Sequence, residues 1–190
     1  MSRIGFGAFL APHHPIGENP TLQFRRDLDL AEQLDKLGFD EFWCGEHHST
    51  GWEMIASPEL FLAAAGERTH RIKLGTGVVS LPYHHPFNVA QRIVQLDHMT
   101  RGRVIFGSGP GALAFDNPDQ AVEEMSGSED AGAIIGTPDD LVNALRRMVE
   151  LTGGFGTAIG FVHDWANRDA TSRSWDMVAR YVMPEVNGMT

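Results

Sequence analysis

The run Ile72-Lys73-Leu74-Gly75-Thr76-Gly77-Val78-Val79-Ser80-Leu81, followed by Pro82-Tyr83-His84-His85-Pro86, decides the fold. Its β-rich, glycine-punctuated composition predicts a strand over residues 72–81. Pro86 then opens a helix in which Phe87, Ala90, Ile93 and Val94 share a face. Two histidines stand between the elements, just past the strand. A strand, a polar loop and a helix make one βα unit.

The unit repeats on both sides. Upstream, Arg3 to Leu10 reads as a strand, and residues 22–37 place Leu30, Ala31, Leu34 and Leu37 on one helical face that Gly38 ends. Glu41 to Cys44 reads as the next strand, and Ser57-Pro58 supplies an N-cap and a first helical residue for a helix running to Arg68. Downstream, Val104 to Phe106 makes a fourth strand. Residues 1–111 therefore read as N-terminal βα units, which predicts a parallel sheet with right-handed crossovers. Residues 112–136 are acidic and rich in small residues, and form an irregular junction. Residues 137–190 resume the rhythm. Thr137 caps a helix, Pro138 takes its first position, and Asp139 and Asp140 face the positive end of its dipole. Leu141, Val142, Leu145, Met148 and Val149 give that helix its buried face before Gly153-Gly154 ends it. Thr157 to Val162 reads as the last strand, residues 169–183 as a final amphipathic helix, and 1–190 as a single domain.

His13-His14, His47-His48, His84-His85 and His163 each follow one of these strands. In a parallel sheet they share its carboxyl end, where (β/α) barrels and open α/β sheets place their ligands.

Composition narrows the function classes. The 190 residues are 42% hydrophobic and 21% charged, with a net charge of −10. No basic stripe is present, which counts against nucleic acid or an anionic membrane as partner and favours a small molecule. Cys44 is the single cysteine, so no internal disulfide forms; its place at the end of an apolar run reads as a buried structural thiol. No apolar stretch approaches the roughly 20 residues of a membrane span, and the chain opens on strand-like sequence, so a cytoplasmic location is expected.

Several motifs in order resemble the bacterial luciferase-like flavin monooxygenases. They are Gly45-Glu46-His47-His48, Gly75-Thr76-Gly77-Val78-Val79-Ser80-Leu81-Pro82 with His85-Pro86, and Arg101-Gly102-Arg103-Val104-Ile105-Phe106-Gly107 leading into Gly109 and Gly111. Trp52-Glu53-Met54-Ile55-Ala56-Ser57-Pro58 and Leu81-Pro82-Tyr83-His84-His85-Pro86 are similar to the limonene-monooxygenase-like group. Ile135-Gly136-Thr137-Pro138-Asp139-Asp140 and Gly153-Gly154-Phe155-Gly156 resemble the family's last barrel unit.

The resemblance implies an FMN-dependent oxidoreductase. Reduced FMN, supplied by a separate flavin reductase, would deliver one oxygen atom of O2 to a small hydrophobic substrate, the cofactor performing the chemistry while the protein orients and shields it. His47 matches the family's catalytic histidine, able to move a proton near neutrality. Glu46 matches the acidic neighbour of the flavin. Gly77 and Val78 match the place of a non-prolyl cis peptide under the ring, and Gly107, Ser108 and Gly109 end the fourth strand where backbone approaches the cofactor. No metal is implied. The family's main phosphate contacts come from the middle of the barrel.

A (β/α)₈ barrel typically needs about 250 residues. This chain is shorter, and the junction near Ala112 to Phe115 is where middle strands would be missing. The fold expected is therefore α/β, an incomplete (β/α) TIM-type barrel. It has about five parallel strands in the order last-1-2-3-4, flanking helices and two open edges. Its inner face would be covered by residues 112–136 or by a second copy, so a homo-oligomer is expected. Two alternatives stand beside this reading. One is a non-catalytic flavin-binding or scaffold protein, which the shortening favours. The other is a metal-dependent hydrolase, weakened by the absence of His-x-His or Glu-x-x-His spacing. By themselves, His13-His14 and His84-His85 read as loop or cap features, His163 as a structural histidine, and Trp43 and Trp52 as core or pocket wall.

Overall fold

The computed structural model describes residues 3–11, 13–48, 51–111, 134, 136–162 and 166–188. Five strands form one parallel sheet: β1 (Gly5–Leu10), β2 (Glu41–Cys44), β3 (Lys73–Thr76), β5 (Val104–Ile105) and β7 (Thr157–Val162). Their order is β5-β3-β2-β1-β7, the last strand beside the first, as the sequence predicted. In register, Gly5 pairs with Thr157 and Leu10 with Val162 on one side of β1, while Leu10 pairs with Cys44 on the other. The junction expected over 112–136 lies almost wholly outside the described residues, as does His163.

Alternation decides which face is covered. Phe6, Ala8 and Leu10 of β1, Phe42 and Cys44 of β2 and Leu74 of β3 point to one side, where they are buried against Leu34, Leu62, Ala65, Leu145, Val182 and Val186 of the helices. Those helices are α1 (Pro20–Leu37), α2 (Pro58–Arg68), α3 (Pro86–Thr100), α4 (Pro138–Thr152), α5 (Arg168–Met177) and α6 (Met183–Gly188). The opposite face carries the row Phe161, Phe9, Trp43, Gly75 and Ile105, set side by side by the strand register. It corresponds to the inner face of a barrel, no far wall covers it among the described residues, and Ile159 and Phe161 remain 43% and 56% exposed on it.

Helix ends follow local chemistry. Asn19 accepts from the Thr21 amide at the head of α1, and Gly38 adopts φ 88° at its end. Thr137 and Asp140 form a capping box on α4, and Gly153 at φ 76° closes it. The last turn of α1 is bound to the start of β3 through Asp35. Its Oδ1 accepts from the amides of Ile72 (2.7 Å) and Arg71 (2.9 Å), and its Oδ2 from His70 (2.9 Å). These bonds outweigh the effect of burial, which alone would raise it, and hold the Asp35 carboxyl below its ordinary range.

Several expectations are corrected. The strand foreseen over 72–81 is two: the chain turns at a cis Gly77–Val78 peptide, and β4 (Val79–Ser80) leaves the main sheet to pair with β6 (Ser108–Gly109). Ser57 stands at the N-cap position of α2, but its hydroxyl donates to Glu59 at 2.9 Å instead of accepting from the backbone. Helix α3 buries Val89, Leu96 and Thr100, leaving Phe87 and Val94 exposed, because it packs on α2 and, among the described residues, no later helix covers the other stripe. The final helix is not uniform. A π-helical turn at Val178–Val182 separates α5 from α6, where Pro184 offers no N–H to continue the ladder.

Candidate active site

At the carboxyl end of the sheet, the histidine pairs do not stay together; His13-His14 and His47-His48 each send their two members to different carboxylates. After β2, the chain runs through Gly45 into Glu46, His47 and His48, with the His47 amide held by Ile55 O at 3.0 Å. On this extended backbone His47 and His48 diverge. His48 Nε2 donates to Glu46 Oε1 at 2.7 Å. His84, from the segment before α3, donates its Nε2–H to the same oxygen at 2.8 Å. The other oxygen, Oε2, accepts from the Ser80 amide at 2.9 Å. Arg92 lies 3.4 Å from His84 Nδ1, which places the ring proton on Nε2. The Glu46 side chain is wholly buried. Burial alone would raise its pKa, but the bonds from His48, Ser80 and His84 outweigh it and hold the carboxyl below its usual range.

His47 turns to a second buried carboxylate, Glu53. Its Nδ1 lies 3.1 Å from Glu53 Oε2, and His13 Nδ1 lies 3.2 Å from Oε1 of the same group. An isolated antiparallel bridge between His13 and Glu53 brings the loop after β1 to this point. Burial lowers the His13 pKa, outweighing the attraction of Glu53. His14 points away into the interior, where its Nε2 meets Asp27 Oδ2 at 2.9 Å. His85 sits at the N-cap of α3, a backbone role.

Close to His47 lies an apolar floor built on Phe9. The Phe9 ring packs between Gly45 and Gly77; a Cβ on either would come within 3.5 Å or less of it. Trp43 lies so close over Gly75 that any side chain there would overlap its indole. A Cβ on Gly107 would collide with the carbonyl of Thr76, whose hydroxyl donates to Gly107 O at 2.8 Å and accepts from its amide at 3.0 Å. Gly107 thus lets the two strand ends touch, and Ser108 and Gly109 continue as β6 against β4, where a Cβ on Gly109 would stand 3.2 Å from Val78. Cys44 is buried in the core, and burial pushes its thiol pKa well up, so it is no nucleophile here. Among the described residues no three His, Cys, Asp or Glu side chains are grouped to hold a metal ion.

The structure thus brings Glu46, His47, Gly77, Val78, Gly107, Ser108 and Gly109 to one end of the sheet. Sequence reasoning missed His84 and His48 as partners of Glu46, read His13 as a loop or cap feature, and gave Glu53 no role of its own. The signal for Glu53 was slight: one acidic residue in a loop six positions past His47.

Comparison with known proteins agrees with this architecture. A family model described as luciferase-like monooxygenase matches residues 4–150. The 4-hydroxyprotoasukamycin monooxygenase of Streptomyces nodosus subsp. asukaensis is 65% identical over 116 residues, covering 61% of this chain and 31% of that protein. Limonene 1,2-monooxygenase of Rhodococcus erythropolis is 64% identical over 116 residues, 61% of this chain and 30% of that one. The chain thus spans about 30% of the length of these curated relatives. The oxygenating constituent of 3,6-diketocamphane monooxygenase from Pseudomonas putida, solved with FMN, is 30% identical with a TM-score of 0.55 over 78% of this chain and 39% of that one. Monooxygenase RslO1 from Streptomyces bottropensis shares the fold with a TM-score of 0.79 over 95% of this chain and 99% of that chain, at 17% identity.

Proposed function

The chain belongs to the luciferase-like monooxygenase family, and from that premise we propose that it carries the ring-binding part of an FMN site and the proton-handling histidine of an FMN-dependent monooxygenase. The observation that carries the reading is His47 at the rim of the floor made by Phe9, Gly45 and Gly77, where a Cβ at either glycine would crowd the aromatic surface. A planar ring fits such a floor. Glu46, Gly77, Val78, Gly107, Ser108 and Gly109 would border it. The phosphate end fits less well. Ser108 and Gly109 of the run Gly107-Ser108-Gly109-Pro110-Gly111 lie in a two-stranded ladder with β4, so among the described residues this run begins no helix whose N-terminus could hold a phosphate.

When bound, reduced flavin supplies the electrons that activate O2 for transfer of one oxygen atom to a small hydrophobic substrate. His47 would give or take a proton at Nε2, the nitrogen turned away from Glu53 and lying over Gly45. Phe9 and Trp43 would exclude water from beneath the reacting face. Glu46 does not face the ligand freely, because its two oxygens are engaged by His48, His84 and Ser80; its part is to hold the loop after β2 and the segment before α3 in one arrangement. A separate flavin reductase would supply the reduced cofactor, and further copies of the chain would flank the open inner face.

Titration of the full chain with oxidised and reduced FMN, followed by oxygen uptake with a monocyclic terpene, tests the reading. Micromolar binding with substrate-dependent oxygen uptake is expected. Binding without that uptake would reduce the protein to a flavin-binding module, and absence of binding would leave a scaffold.

A further inference from the structure

One carboxylate serves two imidazoles at this site. Glu53 is buried, with its side chain 2% exposed, and the Nδ1 atoms of His13 and His47 approach its two oxygens at 3.2 and 3.1 Å. These are charge contacts and not aligned hydrogen bonds. Their chemistry is nonetheless restrictive. A carboxylate oxygen offers only lone pairs, so a ring nitrogen held this close is favoured with its proton on and disfavoured with its lone pair facing the oxygen. Histidine free in water prefers the opposite tautomer, with the proton on Nε2. The His84 ring shows that preference here, its Nε2–H on Glu46 and its Nδ1 towards Arg92.

We propose that Glu53 is a positioning residue that holds His47 as the Nδ1–H tautomer, leaving Nε2 as the proton acceptor at the active face, and that it couples His47 to His13 as one proton-holding unit. Geometry fixes both parts. His47 Nε2 is the ring atom over Gly45, where a Cβ would stand 3.4 Å from it, so the acceptor lies on the floor side and the donor on the Glu53 side. The coupling follows from charge, since one carboxylate offsets one imidazolium and a second proton on the pair would be opposed. Glu53, His47 and His14 are among the groups that face His13, and His14 is engaged by Asp27 and lies 3.4 Å from Arg26. Of these only Glu53 faces both rings.

The role given to His47 rests on the flavin reading, but the tautomer does not, and it is read without flavin or substrate. The experiment is a long-range ¹H–¹⁵N spectrum of the histidine rings in the full chain at pH 8, with His47 and His13 assigned by His47→Gln and His13→Asn. Both rings are expected as Nδ1–H in the unsubstituted protein. In Glu53→Leu both should revert to Nε2–H, and in His47→Gln the His13 midpoint should move up. An Nε2–H tautomer at His47 in the unsubstituted protein would overturn the proposal, whether or not Glu53→Leu folds. So would an unchanged tautomer in folded Glu53→Leu, or an unmoved His13 midpoint in His47→Gln. Failure of FMN to bind would instead count against the functional reading and leave these spectra standing.

Discussion

His84 Nε2 and Glu46 Oε1 lie 2.8 Å apart although 38 residues separate them in sequence, and this contact ties the loop after β2 to the segment that leads into α3. With His48 on the same oxygen and the Ser80 amide on the other, one buried carboxylate organises three pieces of backbone.

Replacing Glu46 by Ala strands those donors in a buried place. A loss of about 2–4 kcal/mol is expected, more than a single neutral hydrogen bond would cost. Urea denaturation reads the loss, and amide exchange at Ser80 should quicken well beyond the change at Leu74, which is bonded to Arg103 O.

Asp35→Asn tests a pH dependence of known sign. The folded-state pKa of Asp35 is depressed, so its stabilisation is fully present above the unfolded carboxyl pKa of about 3.9 and is lost as pH falls through the lower folded value. The difference in stability between the unsubstituted protein and Asp35→Asn, about 1–3 kcal/mol, should be level from pH 5 to 7 and shrink below about pH 4. Thermal melts across that range check it.

Gly107→Ala should cost about 1–3 kcal/mol, because the new methyl meets the Thr76 carbonyl, which belongs to backbone and cannot swing aside. Gly156→Ala is the control. Nothing stands within 4 Å of a Cβ there and its φ needs no glycine, so its denaturation midpoint should hardly move.

His47→Asn should lower turnover by about 10²–10⁴-fold if the ring moves a proton in the reaction, while the dissociation constant for FMN changes little. Equal losses in turnover and flavin binding would assign His47 to the floor of the site and not to proton transfer.

Riboflavin should bind within about tenfold of FMN, a difference of about 1.4 kcal/mol or less, because the described site addresses the ring and not the phosphate. Fluorescence quenching of both ligands measures this.

Local signals proved legible where one residue could satisfy them. Pro58, Pro86 and Pro138 each open a helix, and Gly38 and Gly153 each end one, because a fixed φ or a left-handed φ is a property of the residue itself. The sheet order was legible because the family resemblance implied a (β/α) barrel, in which the last strand lies beside the first. What escaped depended on which of several partners a group takes. Ser57 reads as a cap, yet Glu59 takes its hydroxyl. Phe87 and Val94 read as half of an apolar face, yet which stripe of α3 is buried depends on α2. His13 and Glu53 meet only because two loops cross in a single antiparallel bridge, which no spacing within either loop announces.

The pairing of β1 with β7 also has a consequence in time. Synthesis from the N-terminus delivers β1, β2, β3 and β5 first, and one edge of β1 waits for a strand that begins at Thr157. Until it emerges, Gly5 to Leu10 present an unpaired row of amides and carbonyls to whatever else is nearby. The nascent chain is thus most vulnerable to aggregation in the interval between β5 and β7, and closure of that distant pair is the step expected to limit the rate of folding.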